Sequence, residues 1–192
     1  MTIFEFRIYL VLDVEHLSRV FRTKTEEEGV GLIMNLWVRI DDRLIHGQVV
    51  TGWGNHLRLD VLILANDRIR GDAWERSLYE NGFCPDMRTE VLSIEETAAA
   101  LMGGHSKGKN VMVLVESPRD ALRLLEEGLR LDKINLGGIH YRPGKREILP
   151  YIFLNPGDIQ KLAKIKARGV KLECCDVPTG KKVDLCKLIK FK

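Results

Sequence analysis

Between Arg39 and Gln48 the chain runs Arg-Ile-Asp-Asp-Arg-Leu-Ile-His-Gly-Gln, with two arginines, two aspartates, a histidine, a glycine and a glutamine in ten residues. A histidine that ends a strand and opens a helix is suited to act as nucleophile or base, and the amides of the helix start would stabilise a dianionic group beside it. His46 occupies that position. Arg43, three residues earlier, offers a forked guanidinium to phosphoryl oxygens. Asp41 or Asp42 would fix the imidazole tautomer and leave one ring nitrogen free to attack. Gly47 allows close approach of a phosphate to the backbone, and Gln48 adds a neutral polar group. Residue chemistry alone describes a surface turn of mutually paired charges equally well.

The elements that must position this run can be read from periodicity. Residues 36–40 form a first short strand, and a helix starts close to His46 and runs through Trp53 to Leu57. Residues 59–65 are an apolar run of strand length, as expected for a strand covered on both faces. Asn66 and Asp67 close it. Residues 72–80 have helical spacing, and Trp74, like Trp53, is assigned to the core from its apolar helix face. A third strand spans 89–92, and Ser93-Ile-Glu-Glu96 reads as a capping box. The second half repeats the logic. A buried strand at 110–115 leads to Ser117 as N-cap and Pro118 as first helical residue. That helix reaches Glu127 before Gly128. A strand at 133–136 ends at Gly137-Gly138, residues 141–144 are turn chemistry, and 148–154 form a strand of an irregular or antiparallel unit. Asn155-Pro-Gly-Asp158 opens a helix that ends at Gly169, a last strand spans 170–174, and a short helix closes the chain at 181–189.

Alternating strands and helices with short connections imply an α/β single domain, a mostly parallel central sheet with helices on both faces. Such sheets bind ligands beyond the carboxyl ends of their strands, which places the His46 loop after the first strand on the functional edge. Asn66 and Asp67, ending the second strand, are expected to shape the same pocket. No Rossmann glycine fingerprint or Walker A loop follows any strand.

Composition narrows the class. The chain has 192 residues, a formal net charge of +3 and no apolar run of transmembrane length. No basic tract suggests nucleic acid. Cys84, Cys174, Cys175 and Cys186 lack metal or disulfide spacing and read as reduced structural thiols. Cys174 and Cys175 should point to opposite faces of the sheet. Residues 1–33 are expected to be an extension outside the domain at 34–192, with translation starting at Met34 or the segment dispensable. Its Glu26-Glu27-Glu28-Gly29 run would need purine-rich codons, like a ribosome-binding site. Residues 34–192 carry 26 basic and 21 acidic side chains, a net charge of +5. That bias suits a site for a doubly charged phosphoryl group.

The string RIDDRLIHGQV resembles the signature of the IIB component of the mannose/fructose/sorbose family of bacterial sugar phosphotransferase systems. The likeness extends through Asn135-Leu-Gly-Gly138, Arg142-Pro-Gly-Lys145 and residues 166–170, and covers nearly all of 34–192. It implies a cytoplasmic α/β phosphocarrier that associates peripherally with a membrane permease. His46 would take a phosphoryl group from a phosphorylated IIA protein, on Nδ1, and pass it to a sugar entering through the IIC/IID components. Arg43 and Arg39 match the arginines that would stabilise the transferred group, and Asp41 completes the catalytic set. Asp42, Gly47, Gln48, Asn66 and Arg142 are expected to bind or orient phosphate, with His140 near them. The scheme requires no cofactor and no metal, and no nucleic-acid partner. The sugar is not legible, and the oligomeric state is open, a homo-oligomer included. The alternative is a phosphorylatable regulatory protein without a dedicated transporter.

Overall fold

The structure, a computed structural model, describes residues 34–82 and 87–191. Cys84 and the expectations for residues 1–33 lie outside the described residues. In chain order, β1 is Asn35–Asp41; α1 is a π-helical stretch Gln48–Gly54 continued by Asn55–Leu57; β2 is Val61–Ala65. Then follow α2 (Asp67–Gly71), α3 (Ala73–Gly82), β3 (Arg88–Leu92), α4 (Ile94–Met102), β4 (Asn110–Val115) and α5 (Pro118–Glu126). The chain finishes with β5 (Lys133–Gly138), β6 (Arg146–Leu149), β7 (Ile152–Leu154), α6 (Pro156–Ala167), β8 (Lys171–Cys174), β9 (Val183–Asp184) and a 3-10 turn at Leu185–Lys187.

Seven strands form one sheet in the order β3-β2-β4-β1-β5-β8-β9, parallel except for β9, which runs against β8. β1 is therefore central, flanked by β4 and β5, and its carboxyl end is surrounded by neighbouring strand ends. Alternation along the strands sends Leu36, Val38 and Ile40 into the core beneath α4, α5 and α6. Trp37, Leu62, Leu64, Met112 and Leu114 point to the other face, against Val49, Trp53 and Ile69 of α1 and α2. Cys174 joins the first cluster and Cys175 the second, as strand alternation requires. The helix starts follow their side-chain caps. Ser93 and Asn155 make reciprocal capping boxes with Glu96 and Asp158, and Ser117 caps the helix that begins with Pro118.

Several expectations are corrected. Asn66 caps an additional short helix, α2, because its side chain accepts from the Ile69 amide. Trp74 is not core: it is 73% exposed on α3, which has no buried residue. Residues 146–154 make a small hairpin of two antiparallel strands, since residues between Leu149 and Ile152 reverse the chain. In place of a terminal helix, β9 pairs with β8 and the 3-10 turn follows, started by Asp184 accepting from the Cys186 amide. Strand β5 continues through Gly137 and Gly138 instead of stopping before them.

Candidate functional site

The carboxyl end of β1 delivers Asp41 into the interior, fully buried. Two cations and an imidazole converge on its carboxylate. Arg39 donates from Nη2 to Oδ2 at 2.9 Å, and Arg43 donates from Nε and from its backbone amide to Oδ1, both at 3.3 Å. The ring of His46 brings Nε2 to 3.3 Å from Oδ2. Burial alone would raise the Asp41 pKa. Arg39, the bond from Arg43 and the neighbouring His46 outweigh it and hold the carboxyl below its ordinary 3.8. An ionised carboxylate only accepts, so His46 must carry its proton on Nε2, and Nδ1 keeps a free lone pair.

Burial lowers the His46 pKa below its ordinary value; Asp41 opposes by charge and hydrogen bond, and Arg43 and Arg39 add to the lowering. These shifts favour the neutral imidazole near pH 7, and the side chain is 19% exposed. Arg43 is more open and reaches on to Gln48 Oε1 at 2.9 Å, so it spans the rim from Asp41 to the start of α1. That helix starts at Gly47 without a side-chain cap, and a Cβ on Gly47 would meet nothing within 4 Å. The space over the helix start is open. Leu44, between Arg43 and His46, sits at φ 58 while its side chain is buried. A non-glycine residue in this left-handed conformation carries backbone strain, held here by packing.

Arg39 is placed differently from the expectation. Its side chain is 0% exposed and lies beneath Asp41, where it cannot reach a phosphoryl group in solvent. Besides Asp41, it donates to the Asn135 side chain and to the carbonyls of Cys175 and Asp176, with the ring of Trp53 at 4.9 Å. Burial lowers its pKa against the opposing pull of Asp41. Its place in the site is to orient and charge-balance Asp41.

This cradle was missed in the sequence, although its string was visible. A Cβ at Gly137 would stand 1.7 Å from Arg39 Cζ, and one at Gly138 would stand 3.0 Å from Asp41 Oδ1. The two glycines read as a strand ending are instead the room that Arg39 and Asp41 occupy. Trp53 closes the far side and donates from its indole to the Asp176 carbonyl at 3.1 Å.

The remaining candidates separate. Asp42 turns away from His46 and accepts from the backbone amide of His140 at 2.8 Å, with its other oxygen 2.5 Å from His140 Nδ1. Asn66 is occupied as the α2 cap and donates to Glu116 at 3.0 Å. Arg142 is exposed in the turn after β5. His105 belongs with Glu90, a structural pair. Among the described residues no helix is long and apolar enough to cross a membrane, and no cluster of three histidine, cysteine or carboxylate side chains has metal-holding geometry.

Comparison with known proteins gives this geometry a family. The profile described as the PTS system sorbose subfamily IIB component matches residues 35–192. The sorbose-specific EIIB component of Klebsiella pneumoniae is 33% identical over 147 residues, 77% of this chain and 90% of that protein. The mannose-specific EIIAB component of Escherichia coli K12 is 32% identical over 151 residues, 79% of this chain but 47% of the relative, so the chain spans about half of that longer protein. The solved IIBSor domain of the Klebsiella pneumoniae sorbose permease superimposes with a TM-score of 0.73 at 32% identity, covering 80% of this chain and 94% of that one. An N-acetyl-galactosamine IIB component from Streptococcus pyogenes gives 0.74 at 26% identity, covering 80% and 97%. With the family matched over nearly the whole described domain and the fold shared, the chain belongs to the sorbose subfamily of phosphotransferase-system IIB components.

Proposed function

We propose that His46 is the phosphoryl acceptor and that the group is carried on Nδ1. The observation that carries this reading is the bond between His46 Nε2 and the buried, ionised Asp41, which leaves Nδ1 as the basic nitrogen. In the proposed cycle, the Nδ1 lone pair attacks the phosphorus of a phosphohistidine on a IIA protein. The P–N bond to the donor ring breaks as the new one forms, and the donor imidazole leaves with the electron pair. Transfer between two imidazoles is nearly isoenergetic, so the protein's task is to place the nucleophile and neutralise the loose transition state. Arg43, the amides at the start of α1 and Gln48 are the groups at hand for that charge. In the second step the hydroxyl oxygen of a sugar entering through a IIC/IID permease attacks the phosphorus, the P–Nδ1 bond breaks with its electron pair returning to the His46 ring, and the hydroxyl proton passes to solvent. The protein is then a protein-Nπ-phosphohistidine–sugar phosphotransferase acting in the cytoplasm. A longer mannose-specific relative named EIIAB supports a IIA partner. Residues 1–33 fall outside the matched region, which supports the reading that they are dispensable for transfer.

The test is acid-labile labelling of the purified chain by a phosphorylated IIA protein of the sorbose or mannose type. Wild type should take up about one phosphoryl group per chain, and His46→Ala none. Undiminished label on the variant would remove the assignment.

A further inference from the structure

The charge of this protein is distributed unevenly. Residues 34–155 carry 16 basic and 17 acidic side chains, whereas residues 156–192 carry 10 basic and 4 acidic. The whole positive excess of the domain therefore belongs to the last segment, and little of it lies at the phosphoryl site. The fold gathers that segment at one end of the sheet: α6, β8, β9 and the 3-10 turn are packed on one another. Lys166, on the last turn of α6, lies over the ring of Phe191 at 5.0 Å, which ties the helix to the tail.

Lys166, Lys171, Lys181, Lys182, Lys187 and Lys190 are all exposed there. The carboxylates of this edge are largely committed. Glu173 faces Lys133 at 3.2 Å, Asp158 caps α6 and lies 3.7 Å from Lys145, and exposed Asp184 caps the 3-10 turn. Arg168, the one arginine of the segment, faces Glu126 at 3.9 Å. What is left is a set of exposed lysines on this segment, with Leu188, 40% exposed, between Lys187 and Lys190 in the chain.

We propose that this β8–β9 edge docks on an anionic lipid bilayer. Lysines are compact, strongly hydrated point charges, suited to a diffuse layer of headgroup phosphates more than to the bidentate recognition that arginine provides. Nucleic acid is a poorer fit, because among the described residues the ring that meets these lysines, Phe191, is packed on the core and already covered by Lys166, which leaves no open platform on which bases would stack. Leu188 among the lysines gives the edge one apolar side chain to sink into the headgroup boundary, as amphipathic interfacial segments do. This contact is with lipid itself, independent of any permease and of the role given to His46. It would hold the carrier at the surface where its sugar enters.

The experiment is co-sedimentation of the full chain with vesicles of phosphatidylcholine alone or with about a third phosphatidylglycerol. Wild type should pellet with the anionic vesicles only, and release as salt is raised through the range where screening shortens. Reversal of Lys181, Lys182, Lys187 and Lys190 to Glu should lower partitioning by at least about a hundredfold, at about fivefold per lysine. A Lys107→Glu/Lys109→Glu control should pellet like wild type, as should His46→Ala. A set of glutamine substitutions at the same four lysines, with unchanged thermal unfolding, separates charge from misfolding. Equal binding to neutral and anionic vesicles, no binding to either at low salt, or retention by DNA without retention by anionic vesicles would overturn the proposal.

Discussion

At the scale of single residues, the site is a division of labour around one buried carboxylate. Asp41 fixes the His46 tautomer, Arg39 stabilises Asp41 from below, and Arg43 links it to the open rim. Arg43→Ala should slow phosphoryl transfer by roughly 1–3 kcal/mol of barrier, as for loss of one charge-assisted contact. A stopped-flow or rapid-quench transfer assay reads this, and an unchanged rate would show that Arg43 does not touch the transition state. The pH dependence follows from the directions of the shifts. The lowered His46 pKa means that the neutral, reactive ring persists below pH 6.5, its ordinary midpoint. An NMR titration of the ring should therefore find its midpoint under that value, and the transfer rate should hold its plateau to correspondingly lower pH. Asp41, also lowered, contributes stability that is complete above 3.8 and is lost as pH falls through its depressed value. Sequence chemistry offered His46, Arg43 and either Asp41 or Asp42 for one site, and the structure brings Asp41 to His46 and Arg43 while Asp42 turns to His140. It could not tell which arginine would be buried, because that depends on Asn135 and Cys175, 96 and 136 residues further along the chain.

At the scale of elements, β5 matters as much as the loop that carries His46. Asn135 and Gly137 form the floor on which the Arg39 guanidinium rests, and Gly138 pairs with Asp41 across the β1–β5 register. Gly137→Ala places a methyl where Cζ now lies and so expels Arg39, leaving Asp41 buried with less of its counter-charge. The expected loss is roughly 3–5 kcal/mol in urea unfolding, the cost of breaking a buried ion pair, together with impaired transfer. Unchanged stability would contradict the cradle. Most helix starts were legible, because Ser93, Ser117 and Asn155 cap locally. The glycine pair was misread for the opposite reason. A glycine in a strand marks close approach by something distant in sequence, and local pattern cannot say by what. Trp74 was misplaced because helical spacing shows only a potential apolar face, and here nothing among the described residues covers it.

At the scale of the molecule, the α/β alternation predicted the parallel sheet and its functional edge, since continuous apolar strands with short helical crossovers admit few other arrangements. One departure lies at the β8 end, where β9 replaces the expected helix. Two hydrogen-bonded residues are too short a strand for periodicity to reveal. The basic excess was also visible in composition, and its concentration at that edge became clear only once the edge existed. We expect the chain trimmed to residues 34–192 to fold and to accept phosphate as the full chain does, compared by circular dichroism and labelling. Loss of either would assign residues 1–33 to the working domain.

The most direct test of the central claim is a nitrogen–phosphorus correlation spectrum of the phosphorylated, isotope-labelled protein. The account predicts one phosphohistidine, His46, with phosphorus bonded to Nδ1 and Nε2 still protonated toward Asp41. Phosphorus on Nε2 of His46, or on another residue, would contradict it.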